Sequence, residues 1–238
     1  MNWLLWKDYR HNRLIVFTTL LLLVLPYLVG IAIVCLRPWL CTVGAGGQII
    51  YWTPPWREII AGAGIYSLAI SQLSMALLGS NAISGERVDR SSQFLYSLPV
   101  TRRKLLVSKL LFASVVTAVI WSVNIAVFLF LFSVTPVPQG VELDVENVLI
   151  AAACVATTGL TFFCVAWFLS SVVASPAFDV CGGLIAPVLV GSGLAVANGV
   201  FMRLRDDVMW HCYLMTCLIL ALVSFAAGTW HYLRRIEP

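Results

Sequence analysis

Long apolar runs separated by short polar segments set the pattern of this chain. Six runs stand out, at about 14–36, 59–83, 105–134, 148–172, 177–201 and 209–232. Each supplies the roughly 20 residues with which an α-helix crosses a bilayer core of about 30 Å. A membrane β-barrel would instead need alternating segments of about 10 residues. The pattern therefore predicts an all-α, polytopic membrane protein with six transmembrane helices, organised as a single transmembrane domain over 1–238. Ahead of the first run, residues 1–13 (MNWLLWKDYRHNR) predict an amphipathic N-terminal helix. Trp3, Leu4 and Trp6 offer an apolar surface, and Lys7, Arg10 and Arg13 are directed to water or lipid headgroups.

Composition sharpens this picture. Of the 238 residues, 61% are hydrophobic and only 11% are charged, against about 25% charged in a soluble domain. The first run is too long for a signal peptide, and no small-residue cleavage site follows it. The net charge of +4 does not point to nucleic acid, because the basic residues sit beside the spans rather than on one folded face. Their distribution sets the orientation instead. With the N-terminus inside, eleven of the fifteen Lys and Arg fall on inner segments, and only Arg37, Arg57, Arg203 and Arg205 lie outside. Both termini are then expected to be cytoplasmic and the protein to reside in the cell (inner) membrane. The acidic segment with Glu142, Asp144 and Glu146 lies outside.

The outer loop 37–58 carries four consecutive small residues, Gly44 to Gly47, and the pair Pro54-Pro55, so it predicts irregular backbone. The seven cysteines include no CxxC pair. Cys35 and Cys41 flank the start of this loop, where they can form a disulfide or remain two free thiols. Within the spans, Gln72, Asn81 and Asn124 are candidates for bonds between helices, at about 0.6 kcal/mol each. Ser67, Ser71 and Met75 share one face of the second span, where packing competes with lining a pathway. Around the turn 173–177, Ser175 can cap the fifth span, Pro176 fits its first turn, and Asp179 suits the positive helix end. That role is preferred for Asp179 over a proton relay.

Catalytic machinery is hard to assemble from this sequence. Ser192 lies about 13 Å below the outer end of its span at about 1.5 Å per residue. His211 starts the next span near the outer face, whereas a nucleophile and its base need about 3 Å. Gly191, Ala195 and Gly199 beside Ser192 instead predict a small-residue packing stripe. None of the lysines, Lys7, Lys104 and Lys109, ends a G-x-x-x-x-G-K-[ST] phosphate loop. No cofactor is expected. If ATP drives this protein, another polypeptide must bind it.

The inner loop 84–104 is the most specific stretch. Between Glu86 and Tyr96 charge alternates with Val88, Phe94 and Leu95, as in a short helix lying on a membrane surface. Pro99 ends that helix, and Thr101 can cap the next one ahead of Arg102, Arg103 and Lys104. A positive-inside anchor explains the basic cluster but not Glu86, Asp89 or the interleaved aromatics. The stretch GERVDRSSQFLYSLPVTRRKLLVSKLL resembles the loop between spans two and three of ABC-2-type transporter permeases. It shares a Glu after span two, a Leu-Pro-Val, a Thr-Arg-Arg and a Lys-Leu-Leu, with Arg90-Ser91-Ser92 where many members have Gly-Thr followed by an acidic residue. The resemblance extends to the six-span layout.

The resemblance implies a membrane-spanning permease subunit of an ATP-driven exporter, not itself an enzyme. A separate ABC ATPase subunit would dock on this loop, and a second permease copy or a related permease would complete the unit. The coupling residues would be Glu86, Arg87, Arg90, Phe94, Tyr96, Pro99, Arg102, Arg103 and Lys104. Uncharged span centres suit a hydrophobic or amphipathic cargo in contact with membrane lipid. The alternative is a non-transporting membrane protein, either an assembly scaffold or a lipid-handling enzyme with Arg203, Arg205, Asp206, Asp207 and His211 at its outer face.

Overall fold

The computed structural model describes residues 2–36, 56–88, 101–134, 145–173, 175–199 and 206–235, and these contain helices but no strand. Helix α1 (Asn2–Leu36) is followed by α2 (Trp56–Ser80), which widens into a π-helical turn (Asn81–Gly85) and ends in the short α3 (Glu86–Val88). Then come α4 (Arg102–Val134), α5 (Val145–Val172), α6 (Pro176–Ala197) and α7 (Asp206–Arg235). Six stretches are long and apolar enough to cross a membrane: Trp3–Ile33, Ile59–Gly85, Arg102–Leu131, Leu149–Val172, Pro176–Ala197 and Val208–Arg234. The six expected spans are all present. The third begins earlier than the apolar run, so Arg102, Arg103 and Lys104 form the first turn of α4.

The amphipathic lead differs from expectation. It is not a separate helix but the first three turns of α1, which runs unbroken through Pro26. Residues 1–25 offer no Pro or Gly to end it. Leu4 is buried and Arg10 and Arg13 are exposed; Trp3 and Trp6 are more than half exposed, and Asp8 and Asn12 are buried. Leu4, Asp8, Asn12, Thr19, Leu23 and Tyr27 make the buried stripe, at the three- to four-residue spacing of one helix face. The polar start of this stripe is accommodated because other helices supply hydrogen-bond partners there.

Helices α2 and α5 form the centre of the bundle. Helices α1 and α4 flank α2, while α6 and α7 flank α5. Without water to drive association, membrane helices rely on close backbone approach and interhelical hydrogen bonds. Both occur here. A Cβ at Gly79 of α2 would stand 2.6 Å from the Phe163 carbonyl of α5, and one at Gly228 of α7 would stand 2.9 Å from the Phe168 Cα. Trp167, fully buried between them, stacks on Phe163 with ring centres 5.9 Å apart. Farther along, Tyr27 Oη donates to Asn124 Oδ1 (2.9 Å) and Ser67 Oγ to the Leu23 carbonyl (2.6 Å). Thr161 Oγ1 donates to the Cys217 carbonyl (3.1 Å). These bonds tie α1 to α4, α2 to α1 and α5 to α7.

Six alternating crossings bring the starts of α1, α4 and α6 to one end of the bundle, with the ends of α2, α5 and α7. Bonds between α1 and α4, α4 and the π turn, and α3 and α5 confirm the grouping. Most basic residues in the described segments lie at this end.

Candidate functional site

Among the described residues, the buried charged side chains Asp8, Lys109 and Asp179 all lie at the basic end. A π turn displaces backbone carbonyls from α-helical register, and the Ala82 carbonyl accepts a hydrogen bond from Lys109 Nζ of α4. Lys109 is buried, and a buried cation needs such an acceptor. Asn81 Nδ2 reaches Asn12 Oδ1 of α1 at 3.5 Å, the limit of a hydrogen bond. Asn12 Nδ2 donates to the Asp8 carbonyl (3.0 Å), and Ser108 Oγ of α4 donates to Asp8 Oδ2 (2.7 Å). Gly85 permits a close approach here: His11 Nε2 lies 2.9 Å from the point a Cβ would occupy. Lys7, Asp8, His11, Asn12, Asn81 and Lys109 line a cavity of about 30 Å³, the space of about one water molecule.

The other flank of the π turn faces α5 and α6. Arg87 Nη2 donates to the Ser171 carbonyl (2.9 Å) in the last turn of α5, where carbonyls lack intrahelical partners and favour a cation. Ser175 takes the N-cap position of α6 with extended backbone, and Pro176 follows at the first helical position, as expected. The Ser175 side chain makes no capping bond, however. Asp179 is fully buried, and neither carboxylate oxygen accepts a hydrogen bond from a described residue. Ser84 and Arg87 are the groups that act on it. The Ser84 hydroxyl donates instead to the Ser80 carbonyl (2.6 Å).

Of the nine residues expected at the coupling surface, Arg90, Phe94, Tyr96 and Pro99 lie outside the described residues. Glu86 and Arg87 open α3, and Arg102, Arg103 and Lys104 open α4. The placed basic residues do not converge. Arg87 turns inward to Ser171, whereas Arg102 and Arg103 line a separate cleft with Thr101, Leu233 and Arg234. Sequence reasoning did not single out Asp8, Asn12, Ser108 or Lys109 as a connected group. A usable signal was present: Asp8 and Asn12 are one helical turn apart, and Ser108-Lys109 interrupts an otherwise apolar run.

Other candidates resolve toward packing. Asn124 bridges three helices, accepting from Tyr27 and donating to the Gly64 carbonyl at 3.3 Å. Gln72 donates within α2, to the Leu68 carbonyl (3.0 Å), and so does Ser71 (2.6 Å). Ser67 is bonded to α1, and Met75 Sδ accepts from Thr117 of α4 (2.9 Å). Ser192 is exposed and donates back to the Leu189 carbonyl (3.2 Å). In its neighbouring stripe Gly191 stands beside Tyr213 of α7, whereas nothing stands within 4 Å of a Cβ at Gly199. Cys35 is an exposed free thiol, and Cys41 and loop residues 37–55 lie outside the described residues.

Comparison with known proteins adds one finding. A family model described as "ABC-2 family transporter protein" matches residues 6–209. Neither the curated proteins nor the solved structures contain a match.

Proposed function

The chain belongs to the ABC-2 transporter family, and from that premise we propose that it is the membrane-spanning permease of an ATP-driven exporter. Members of the family generally work with an ABC ATPase, so ATP would be bound and hydrolysed by a separate subunit docked on the loop 84–104. Glu86, Arg87, Arg90, Phe94, Tyr96, Pro99, Arg102, Arg103 and Lys104 are the proposed coupling residues. A second copy, or a related permease, would complete the pathway. The spans form one transmembrane domain over 1–238, held in the cell membrane with both termini cytoplasmic. Their uncharged centres suit a hydrophobic or amphipathic cargo.

One observation carries the coupling reading. The segment that leads into the loop is bonded to three other helices through polar groups: Asn81 meets α1, Ala82 meets α4, and Arg87 meets α5. A push on the loop would therefore reach most of the bundle through discrete bonds rather than through α2 alone. Packed interiors deform little, so a displacement of this segment is passed on to the helices bonded to it.

The test is affinity purification in mild detergent with mass spectrometry of the accompanying soluble chains. A phosphate-loop ATPase at near-equal stoichiometry is expected. Glu86→Lys should weaken its association about ten-fold, equivalent to about 1.4 kcal/mol, with membrane insertion intact. Repeated cross-linked preparations without an ATPase would overturn the reading, and unchanged association of the variant would remove Glu86 from the docking surface.

A further inference from the structure

The cleft between the start of α4 and the end of α7 lies apart from the bonds that the π turn and α3 make with α1, α4 and α5. Thr101, Arg102, Arg103, Leu233 and Arg234 line it; it is an open cleft of about 620 Å³, of the size of ordinary ligand sites, roughly 300–1,000 Å³. Among the described residues, all three charged side chains in that lining are arginines. A guanidinium presents a planar fork of donors that matches a phosphate oxygen pair, and it is less strongly hydrated than an ammonium. Arg103 and Arg234 are exposed. Arg234 lies over the Trp230 ring, its guanidinium carbon 5.3 Å from the ring centre, so the guanidinium is held while its edge stays available.

The surface on the membrane side of this cleft is apolar. One and two turns along α4 from Arg103 stand Val107 and Leu111, 48% and 41% exposed. On α7, Trp230 is 50% and Leu233 38% exposed, and Val223 and Ile219 continue the exposed surface toward the middle of the span. Residues three and four apart share a helix face, so each wall carries cationic groups at its end and bare apolar side chains beneath. Exposed Trp at the end of a span is a membrane-interface marker. A free phosphate would use only the upper half of this arrangement. A phospholipid would use both, with its phosphate among the guanidinium groups and an acyl chain along the apolar walls.

We propose that this cleft binds the phosphate headgroup of an anionic phospholipid from the membrane leaflet at the basic end. Arg103 and Arg234 are the principal ligands, Arg102 and the Thr101 hydroxyl complete the polar wall, and Trp230 fixes Arg234. The site accounts for why Arg102 and Arg103 face α7 rather than joining Arg87. It does not depend on the ATP-driven reading, because it is a property of this chain in a bilayer. Basic pockets between spans are suited to such headgroups, and each Lys or Arg near an anionic surface contributes about 1 kcal/mol, or about five-fold in binding.

The test uses the full chain in detergent micelles doped with equimolar phosphatidylglycerol and phosphatidylcholine, with bound lipid counted by native mass spectrometry. Wild-type protein is expected to retain phosphatidylglycerol at least about five-fold over phosphatidylcholine. Arg103→Gln/Arg234→Gln should bring the ratio near one, and Arg103→Lys/Arg234→Lys should keep a reduced preference. Arg10→Gln/Arg13→Gln removes the same charge from an exposed face of α1 at the same end and should leave the ratio unchanged. Equal retention of both lipids by wild-type protein would overturn the proposal, and this arm needs no variant to fold. So would an equal loss in the α1 variant, which would mark a diffuse surface potential. Full displacement of the lipid by millimolar inorganic phosphate would show that a free anion, not a lipid, is the occupant.

Discussion

Asp179 and Arg87 pose the sharpest residue-scale question. An ionised carboxylate inside a protein costs several kcal/mol unless hydrogen bonds and an opposite charge offset it, and Asp179 accepts no hydrogen bond from a described residue. Arg87 supplies the opposing charge, yet its Nη2 is bonded to the Ser171 carbonyl. Asp179→Asn should therefore leave the thermal stability of the detergent-solubilised protein unchanged or raise it by about 1 kcal/mol. Arg87→Gln should lower it by about 1–3 kcal/mol, because the carboxylate is left without an opposing charge. In the Asp179→Asn background the same Arg87→Gln change should cost at least about 1 kcal/mol less. Thermal unfolding of the four proteins measures that coupling, and additive effects would mean that the two groups act independently. The sequence placed Ser175, Pro176 and Asp179 at the start of a helix, as the structure does. It gave no sign that Asp179 is buried, because the residues covering it belong to segments some ninety positions away, around Ser84 and Arg87.

At the scale of elements, the number and type of helices were legible because each apolar run is long, unbroken and bounded by charge or proline. Their ends were less so. The loop was taken to 104, where the apolar run begins, although Thr101 was expected to cap a helix ahead of Arg102, Arg103 and Lys104; these three are good helix formers, and α4 does begin at Arg102, with the Thr101 carbonyl accepting from the Lys104 and Leu105 N–H groups. The lead differs in its extent: it continues into the first span, and its Asp8 and Asn12, which the sequence did not mark as buried, meet Ser108 and Asn81. Helix contact depends on small residues whose importance depends on what lies opposite. Gly228 faces Trp167 and the Phe168 backbone, while nothing stands within 4 Å of a Cβ at Gly193. Gly228→Ala should thus destabilise the solubilised protein by about 1–3 kcal/mol through overpacking. Gly193→Ala should stabilise it by about 0.5–1 kcal/mol through helix propensity. Equal shifts in melting temperature for the two variants would show that α7 does not approach α5 as closely as described.

For the whole molecule, the coupling reading depends on which end of the bundle faces the cytoplasm. Six crossings place the start of α1 and the end of α7 on one side whatever the orientation, as the clefts and bonds at the basic end require. The distribution of charge supplies the direction. Lys7, Arg10, Arg13, Arg87, Arg102, Arg103, Lys104, Lys109, Arg234 and Arg235 all fall in segments at that end, and flanking Lys and Arg are retained on the cytoplasmic side during insertion. Not all of them are anchors: Lys109 and Arg87 are committed to carbonyls inside the bundle, so the sequence count overstates the charge left for the membrane surface. The exposed remainder, Arg10, Arg13, Arg103, Lys104 and Arg234, still gives a clear bias. A fluorescent protein fused after Pro238 should therefore fold and fluoresce in bacterial cells, and alkaline phosphatase fused at the same point should stay inactive. The opposite pair of results would place the loop 84–104 outside, beyond the reach of a cytoplasmic ATPase, and the coupling proposal would fall with it. A lipid site in the α4–α7 cleft would then persist, but in the opposite leaflet.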